Sequence, residues 1–236
     1  MFGQIASRYD FLNRLLSLRR DILWRRMLVD ALHLAPDAMV LDAACGTGDV
    51  MIELMRRSPG NTAVGGVGGV VGIDFSPEML ALAKSKLKTA PTVPPATGLA
   101  AADIFHLPFG PDCFDAVTIA FGIRNIQNKV DALKEFWRLL KPGGQMAVLE
   151  LALARQGIAG GFFSGYFNRI LPMVGRFFSH HRFAYAYLPA SMAQFPAPSE
   201  FAATMRRAGF IHVRYRSLTL SICHLFVGEK ARSPSV

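Results

Sequence analysis

Cysteine is scarce in this chain: Cys45, Cys113 and Cys223 are three residues, far apart and odd in number. Their spacing excludes a zinc site built on close Cys pairs and offers no disulfide framework. No metal is expected, and a reducing, cytoplasmic setting fits. Long apolar runs are missing too. Ser58–Ile73 is mostly glycine and small residues, and Phe183–Ser199 is broken by prolines, so neither reads as a membrane span. Met1-Phe-Gly-Gln4 has neither the charged head nor the apolar stretch of a secretory leader, and none is expected. Acids are scarce at one end. Residues 151–236 hold two against ten Lys/Arg, and residues 1–35 hold three against six. Residues 36–150 reverse the balance, with twelve acids and ten bases.

What is present is a 236-residue chain, 51% hydrophobic, with a net charge of +9. That length suits one domain with a large core. The basic excess lies outside the middle of the chain, and three readings compete for it: an anionic membrane surface, an ordinary solvated face, or nucleic acid. In Tyr166-Phe-Asn-Arg-Ile-Leu-Pro-Met-Val-Gly-Arg-Phe-Phe178 the arginines sit among large apolar residues. That mixture suits a lipid interface better than a phosphate groove, so no nucleic-acid partner is expected.

Periodicity predicts helix over 8–32, broken near Ser17–Asp21, then a strand at Val40–Asp42 and a helix from Asp49. A second strand covers Val70–Asp74. Ser76 caps the next helix, with Pro77 in its first turn. Gly65-Gly-Val-Gly-Gly69 reads as a flexible connection, because a strand follows where a phosphate loop needs a helix. Strands follow at Gly98–Ala102 and Phe114–Ile119, then a helix over Val130–Leu140 ended by Lys141-Pro-Gly-Gly144. Met146–Leu151 is the next strand. Pro198–Ala208 is helical, and Val213–Leu218 and Ser221–Val227 close the sheet. This alternation predicts an α/β, Rossmann-like fold: a central, mostly parallel sheet with helices on both faces. One domain is expected, in five parts. Residues 1–35 form a helical segment, 36–151 a cofactor-binding core, and 152–200 an aromatic insertion toward substrate and membrane. Residues 201–228 are the closing elements, and 229–236 a disordered tail.

The most informative stretch is Val40-Leu-Asp-Ala-Ala-Cys-Gly-Thr-Gly-Asp49. An apolar strand ends in an acid and a tight glycine loop follows. A dinucleotide fingerprint needs a third glycine, three residues after Gly48, and none stands there; Asp49 follows the loop instead. An acid just before the loop suits an amine better than a phosphate. A ligand with an amino-acid end and a nucleoside end fits, namely S-adenosyl-L-methionine. Asp42 and the backbone of Ala44–Gly46 then face its methionine end, with Thr47 as a hydroxyl donor there. Asp74 takes the ribose hydroxyls, while Asp103 accepts from the adenine amine and Ile104 packs on the ring. Alone, each acid reads equally as a cap or a solvated carboxylate. Three at successive strand ends read as a site.

These residues carry a resemblance. The chain, from about Phe2 to Gly228, resembles the ubiquinone/menaquinone biosynthesis C-methyltransferases. The shared residues include Arg8-Tyr-Asp-x-x-Asn13, Ser17, Trp24, the Leu41–Asp49 loop, Asp103-x-x-x-Leu-Pro-Phe109 and Phe114-Asp115. More specific are Phe121-Gly-Ile-Arg-Asn125, Ala184-Tyr-Ala-Tyr-Leu-Pro-Ala-Ser191 and Phe195-Pro196. The resemblance implies cofactor contacts at Thr47, Asp74, Asp103, Ile104 and Ala120. This chain departs from the family's habit at three places: Ala120 where Ser is common, Arg19 where Gly is common, and no Gly near Leu220.

The implied reaction is methyl transfer to a ring carbon of a polyprenyl quinol, with demethylmenaquinol first and the ubiquinone precursor second. The sulfonium methyl is already activated, so the enzyme must align the reacting atoms and exclude water. The ring carbon becomes nucleophilic once the neighbouring phenol loses its proton. Arg124 and Asn125 are the expected phenolate donors. Asp21 is the expected base, followed by Tyr185 or Tyr187, with His180, His181 and His224 weaker candidates. Phe162, Phe163, Phe167, Ile170, Leu171, Phe177 and Phe178 would line a channel for the tail. The expected setting is cytoplasmic, peripheral to the inner face of the membrane. A homodimer or a quinone-biosynthesis assembly stays open. The competing readings are a methyltransferase for another lipid-like molecule, a nicotinamide-dependent dehydrogenase, and a non-catalytic binding protein.

Overall fold

Short apolar strands that end in acids, alternating with amphipathic helices, build a doubly wound sheet. A computed structural model describes residues 10–152 and 190–232, apart from 12, 16, 36, 57–66 and 91–92. The expected tail channel, Tyr185, Tyr187, His180 and His181 fall outside the described residues, as does most of the glycine-rich connection.

Residues 10, 11 and 13–15 are helical, a turn follows at 17–19, and then α1 (Arg20–Asp30). The break has a backbone cause: Leu18 and Arg19 adopt left-handed φ of 50° and 62°. Next come β1 (Met39–Ala43), α2 (Asp49–Arg56), β2 (Gly69–Asp74), α3 (Pro77–Leu87) and β3 (Gly98–Ala101). Then come β4 (Phe114–Ala120), a single 3-10 turn at Ile123–Asn125, α4 (Lys129–Leu139) and β5 (Leu140–Leu151). After a short helical stretch at 190–194, α5 (Pro198–Arg207), β6 (Ile211–Leu218) and β7 (Cys223–Glu229) finish the fold.

The seven strands lie in the order β3-β2-β1-β4-β5-β7-β6. β1 to β5 are mutually parallel, and β7 runs antiparallel to both β5 and β6. Growth of the sheet reverses direction between β1 and β4. At such a switch point the connecting loops part and leave a crevice beyond the strands' C-terminal ends. Two apolar layers cover the faces. Phe136, Phe201, Met205 and Phe226 fill one; Trp24, Leu28, Met51 and Leu54 fill the other. Each such side chain contributes about 1.5–3 kcal/mol by leaving water. The α3 cap is as expected: Ser76 Oγ accepts from the Met79 amide at 3.4 Å, with Pro77 at the helix start.

Two boundaries differ from expectation. β5 begins at Leu140, six residues earlier, because Leu140 already pairs with Phe114 and a bulge takes up the residues after it. At the other end the chain stays anchored past Val227. Glu229 closes β7, and Lys230 Nζ donates to Asp112 and to the Leu140 carbonyl, both at 2.7 Å. Order thus runs beyond the boundary expected for the tail. No helix among the described residues is long and apolar enough to cross a membrane.

Candidate active site

The crevice at the β1/β4 switch holds a cleft of about 670 Å³. Asp74 and Phe75 line it beyond β2, Asp103 to Phe105 beyond β3, and Ala120 to Gly122 and Asn125 to Asn128 beyond β4. A narrow recess of about 30 Å³ adjoins it and shares Ala44, Gly46, Ala120 and Phe121 with it. Arg25, Asp42, Thr47 and Asp49 close the recess.

Asp42 sets the character of the recess. It is fully buried on β1, in register with Thr118 of β4, whose hydroxyl donates to Asp42 Oδ1 at 2.8 Å. Among the described residues its other oxygen, Oδ2, has no hydrogen-bond partner. Burial pushes the carboxyl up to about 7; Thr118 and Arg25 oppose the rise, while Asp74 and Asp49 reinforce it. A buried carboxylate oxygen without a donor costs free energy unless something cationic meets it. At Gly46, φ is +55° and a Cβ would meet nothing within 4 Å, so the backbone is bare on the side facing the cavities. A ligand bringing an ammonium group and lying flat on the loop fits both features.

Asp74 is held for its task. Its Oδ2 accepts from the Gly46 amide at 2.8 Å and its Oδ1 from the Ser76 amide at 2.9 Å. The carboxylate thereby ties the glycine loop to the start of α3 while lining the cleft. Asp103 accepts from the Phe105 amide at 3.0 Å, which turns the chain so that Ile104 lies between cleft and core. Of the expected cofactor residues, Asp42, Gly46, Thr47, Asp74, Asp103, Ile104 and Ala120 line the cleft or recess.

Gly48 does not. Its φ is +81° and a Cβ there would stand 3.2 Å from the Ala83 Cβ, so its smallness serves the packing of α3. Thr47 is a second correction. Its hydroxyl donates to Asp10 at 2.7 Å and accepts from Lys86 at 2.8 Å, so its proton points at the N-terminal segment. Lys86 also reaches Asp10 at 2.5 Å and Asp49 at 2.6 Å. Burial alone would raise the Asp49 carboxyl, but Arg25 and Lys86 hold it below the ordinary range.

Of the described catalytic candidates, only Asn125 lines the cleft. Arg124 is turned into the protein. Its Nη1 donates to Glu150 Oε1 at 2.6 Å and to the Phe121 carbonyl at 2.5 Å, and its Nε lies 3.3 Å from Ser191 Oγ. Glu150 is fully buried on β5 and also accepts from the Arg124 amide at 2.9 Å. Its charge compensates the guanidinium, so the expected direct role at a phenolate does not follow. Asp21, the expected base, is buried against Arg25 Nη1 at 2.5 Å and the Ser17 hydroxyl at 2.7 Å, and lines neither cavity. His224 is buried on β7, 3.0 Å from Ser217 Oγ, and burial lowers its pKa. The Cys45 thiol is pushed up by burial, so it is no nucleophile.

Arg25 was missed by sequence reasoning. It is buried in α1 with its guanidinium 5.4 Å from the Phe121 ring centre, and it approaches Asp49 at 3.5 Å. Its pairing with Asp21 is local, one helical turn back, but its contacts with Asp49 and Phe121 come from distant parts of the chain and leave no mark in the sequence. Glu150 was missed for the same reason.

The sequence profile of the ubiE/COQ5 methyltransferase family matches residues 1–230. The chain belongs to that family. It is 45% identical over 235 residues to the demethylmenaquinone methyltransferase of Thermus thermophilus, covering 98% of this chain and 100% of the relative. It is 42% identical over 230 residues to the ubiquinone/menaquinone biosynthesis C-methyltransferase UbiE of Geotalea daltonii, covering 98% and 94%. Among solved structures, an S-adenosylmethionine-dependent methyltransferase from Thermotoga maritima superposes with a TM-score of 0.64 at 18% identity, over 97% of each chain. One from Aquifex aeolicus gives 0.60 at 16% identity, over 87% and 88%. These two likenesses show the fold. Family membership makes the chain an S-adenosylmethionine-dependent C-methyltransferase. The buried Oδ2 of Asp42 and the bare Gly46 fit that cofactor.

Proposed function

We propose that this methyltransferase places a methyl group on a ring carbon of a polyprenyl quinol. Demethylmenaquinol is the first choice and the benzoquinol precursor of ubiquinone the second. When bound, S-adenosylmethionine supplies an electrophilic methyl on a sulfonium. Asp42 would receive its ammonium, Asp74 the ribose and Asp103 the adenine, and the Gly46 backbone would permit close approach. The supporting observation is the unpartnered, fully buried Asp42 Oδ2 in a recess that opens toward a mainly apolar cleft.

The residues beyond β4 would orient the ring. Asn125, in the 3-10 turn at the cleft wall, would donate to the quinol oxygen and favour its phenolate. Arg124 acts through position. Its bonds to Glu150, Phe121 and Ser191 join the turn, the end of β4, β5 and the 190–194 helix, and so hold Asn125 at the wall. Phe121, under the Arg25 guanidinium, lines both recess and cleft. A cytoplasmic setting, peripheral to the membrane, suits a substrate that lives in lipid.

Quinone profiling by mass spectrometry, in the host with and without the gene, tests this. Loss of the protein should accumulate a precursor lacking one methyl, and the mass of that precursor names the ring. An unchanged quinone pool would refute the assignment.

A further inference from the structure

Every exposed residue described between positions 11 and 26 is either apolar or arginine. Phe11, Leu15, Leu18 and Leu23 are 56%, 38%, 74% and 40% exposed. Arg14, Arg19, Arg20 and Arg26 are exposed among them. The acids of the segment are withdrawn: Asp21 is buried against Arg25, and Asp10 is held by Lys86. An ordinary solvated face intersperses both signs of charge and few large apolar groups.

The β6–β7 turn belongs to the same surface. Trp24 Nε1 donates to Thr219 Oγ1 at 2.9 Å, so the turn carrying Leu220, itself 68% exposed, is tied to α1 next to Leu23. Cys223, just after the turn, pairs with Leu151 at the C-terminal end of β5. The turn therefore lies on the edge of the sheet where the cleft opens.

The backbone adds an independent point. Leu18, Arg19 and Leu220 have φ of 50°, 62° and 54°, in the left-handed region that glycine and asparagine occupy most readily. Leucine is disfavoured there, and burial does not explain its presence, because Leu18 and Leu220 are the more exposed of the surface's leucines.

We propose that this surface, formed by residues 11–26 and the 219–222 turn, docks on an anionic phospholipid bilayer. The leucines enter the interfacial layer and the arginines meet the lipid phosphates. The charge argues for this occupant, since a second copy of the chain would set arginine against arginine. The proposal rests on the quinol reading for its purpose, because docking here turns the cleft edge toward a substrate dissolved in lipid.

The test is flotation of the full chain with vesicles of phosphatidylcholine, alone or mixed with phosphatidylglycerol. The key variant combines Leu18→Asn, Arg19→Gly and Leu220→Asn. Each replacement suits the left-handed backbone better than the native residue, so the fold is kept, and the melting temperature verifies it. The native protein should float with the anionic vesicles, less so at high salt. The variant's partition should fall at least roughly tenfold, with calorimetric cofactor affinity and turnover of a tail-less quinol unchanged. Equal flotation of both proteins would overturn the proposal, as would native binding indifferent to phosphatidylglycerol. A native dimer in light scattering that the variant dissociates, without vesicle binding, would make this a self-interface and also overturn it. If no quinol is methylated and the flotation contrast holds, the substrate reading falls and the docking surface stands.

Discussion

The two halves of the sheet's C-terminal edge treat charge in opposite ways. On the β1–β2–β3 side, carboxylates stand at the strand ends, and Asp42 has an oxygen that no group among the described residues satisfies. On the β4–β5–β7 side, Arg124 and Glu150 satisfy each other in the interior, and α1 beside the β6–β7 turn exposes arginines among leucines. The first half leaves one buried carboxyl oxygen open. The second is complete internally and unbalanced only toward solvent. In the function proposed above, the difference separates two tasks on one edge, gripping a soluble cofactor and presenting a site to a large substrate.

Breaking the closed half should give the largest effect. Arg124→Ala leaves Glu150 buried without its cation, which costs about 3–5 kcal/mol. Melting should fall by roughly 10 °C, and turnover by a factor of ~100 or more as Asn125 loses its support. Calorimetric cofactor affinity should stay close to native in protein that remains folded. A variant with native turnover and melting would remove the positioning role. Asp74→Ala comes next. It deletes the expected ribose grip and two backbone hydrogen bonds. Cofactor affinity should fall by roughly 100-fold, with a melting loss of a few degrees at about 1 kcal/mol per hydrogen bond. Unchanged calorimetric affinity would remove Asp74 from the site. The smallest effect belongs to Ser76→Ala, which removes the α3 cap. It should cost about 0.5–2 kcal/mol and leave affinity within about twofold, as read by thermal melts and titration. A large loss of affinity would show that the cap serves the ligand as well as the helix.

The carboxylate-bearing half of the cleft was largely legible in sequence, because its signals are local. An acid closing an apolar strand, a glycine loop after it, and Ser76-Pro77 before a helix each occupy a few consecutive residues. The closed half was not. Arg124 looked like a donor facing substrate because nothing near it in sequence reveals Glu150, 26 residues away. Asp21 looked like a free base, although Arg25 stands one helical turn on at the usual pairing distance. Gly48 looked like part of the ligand loop, and only the position of Ala83 shows that packing requires it. The left-handed backbone at Leu18, Arg19 and Leu220 carried no signal, since turn rules look for glycine or asparagine there.

The central claim is that the cofactor's cationic end meets Asp42. Because burial raises this carboxyl from 3.8 to about 7, its ionisation opposes folding. The stability it lends is full below pH 3.8 and is lost as pH rises through about 7, where the charged form awaits its ligand. Calorimetric titration of S-adenosylmethionine at pH 8 and pH 6, on native protein and on Asp42→Asn, tests this directly. Native affinity should weaken about tenfold at pH 6. The variant should melt several degrees higher at pH 8 in the absence of cofactor, bind at least ~100-fold more weakly, and show no dependence on pH in this range. Equal affinities for the two proteins at pH 8, with the same flat pH response, would contradict the account.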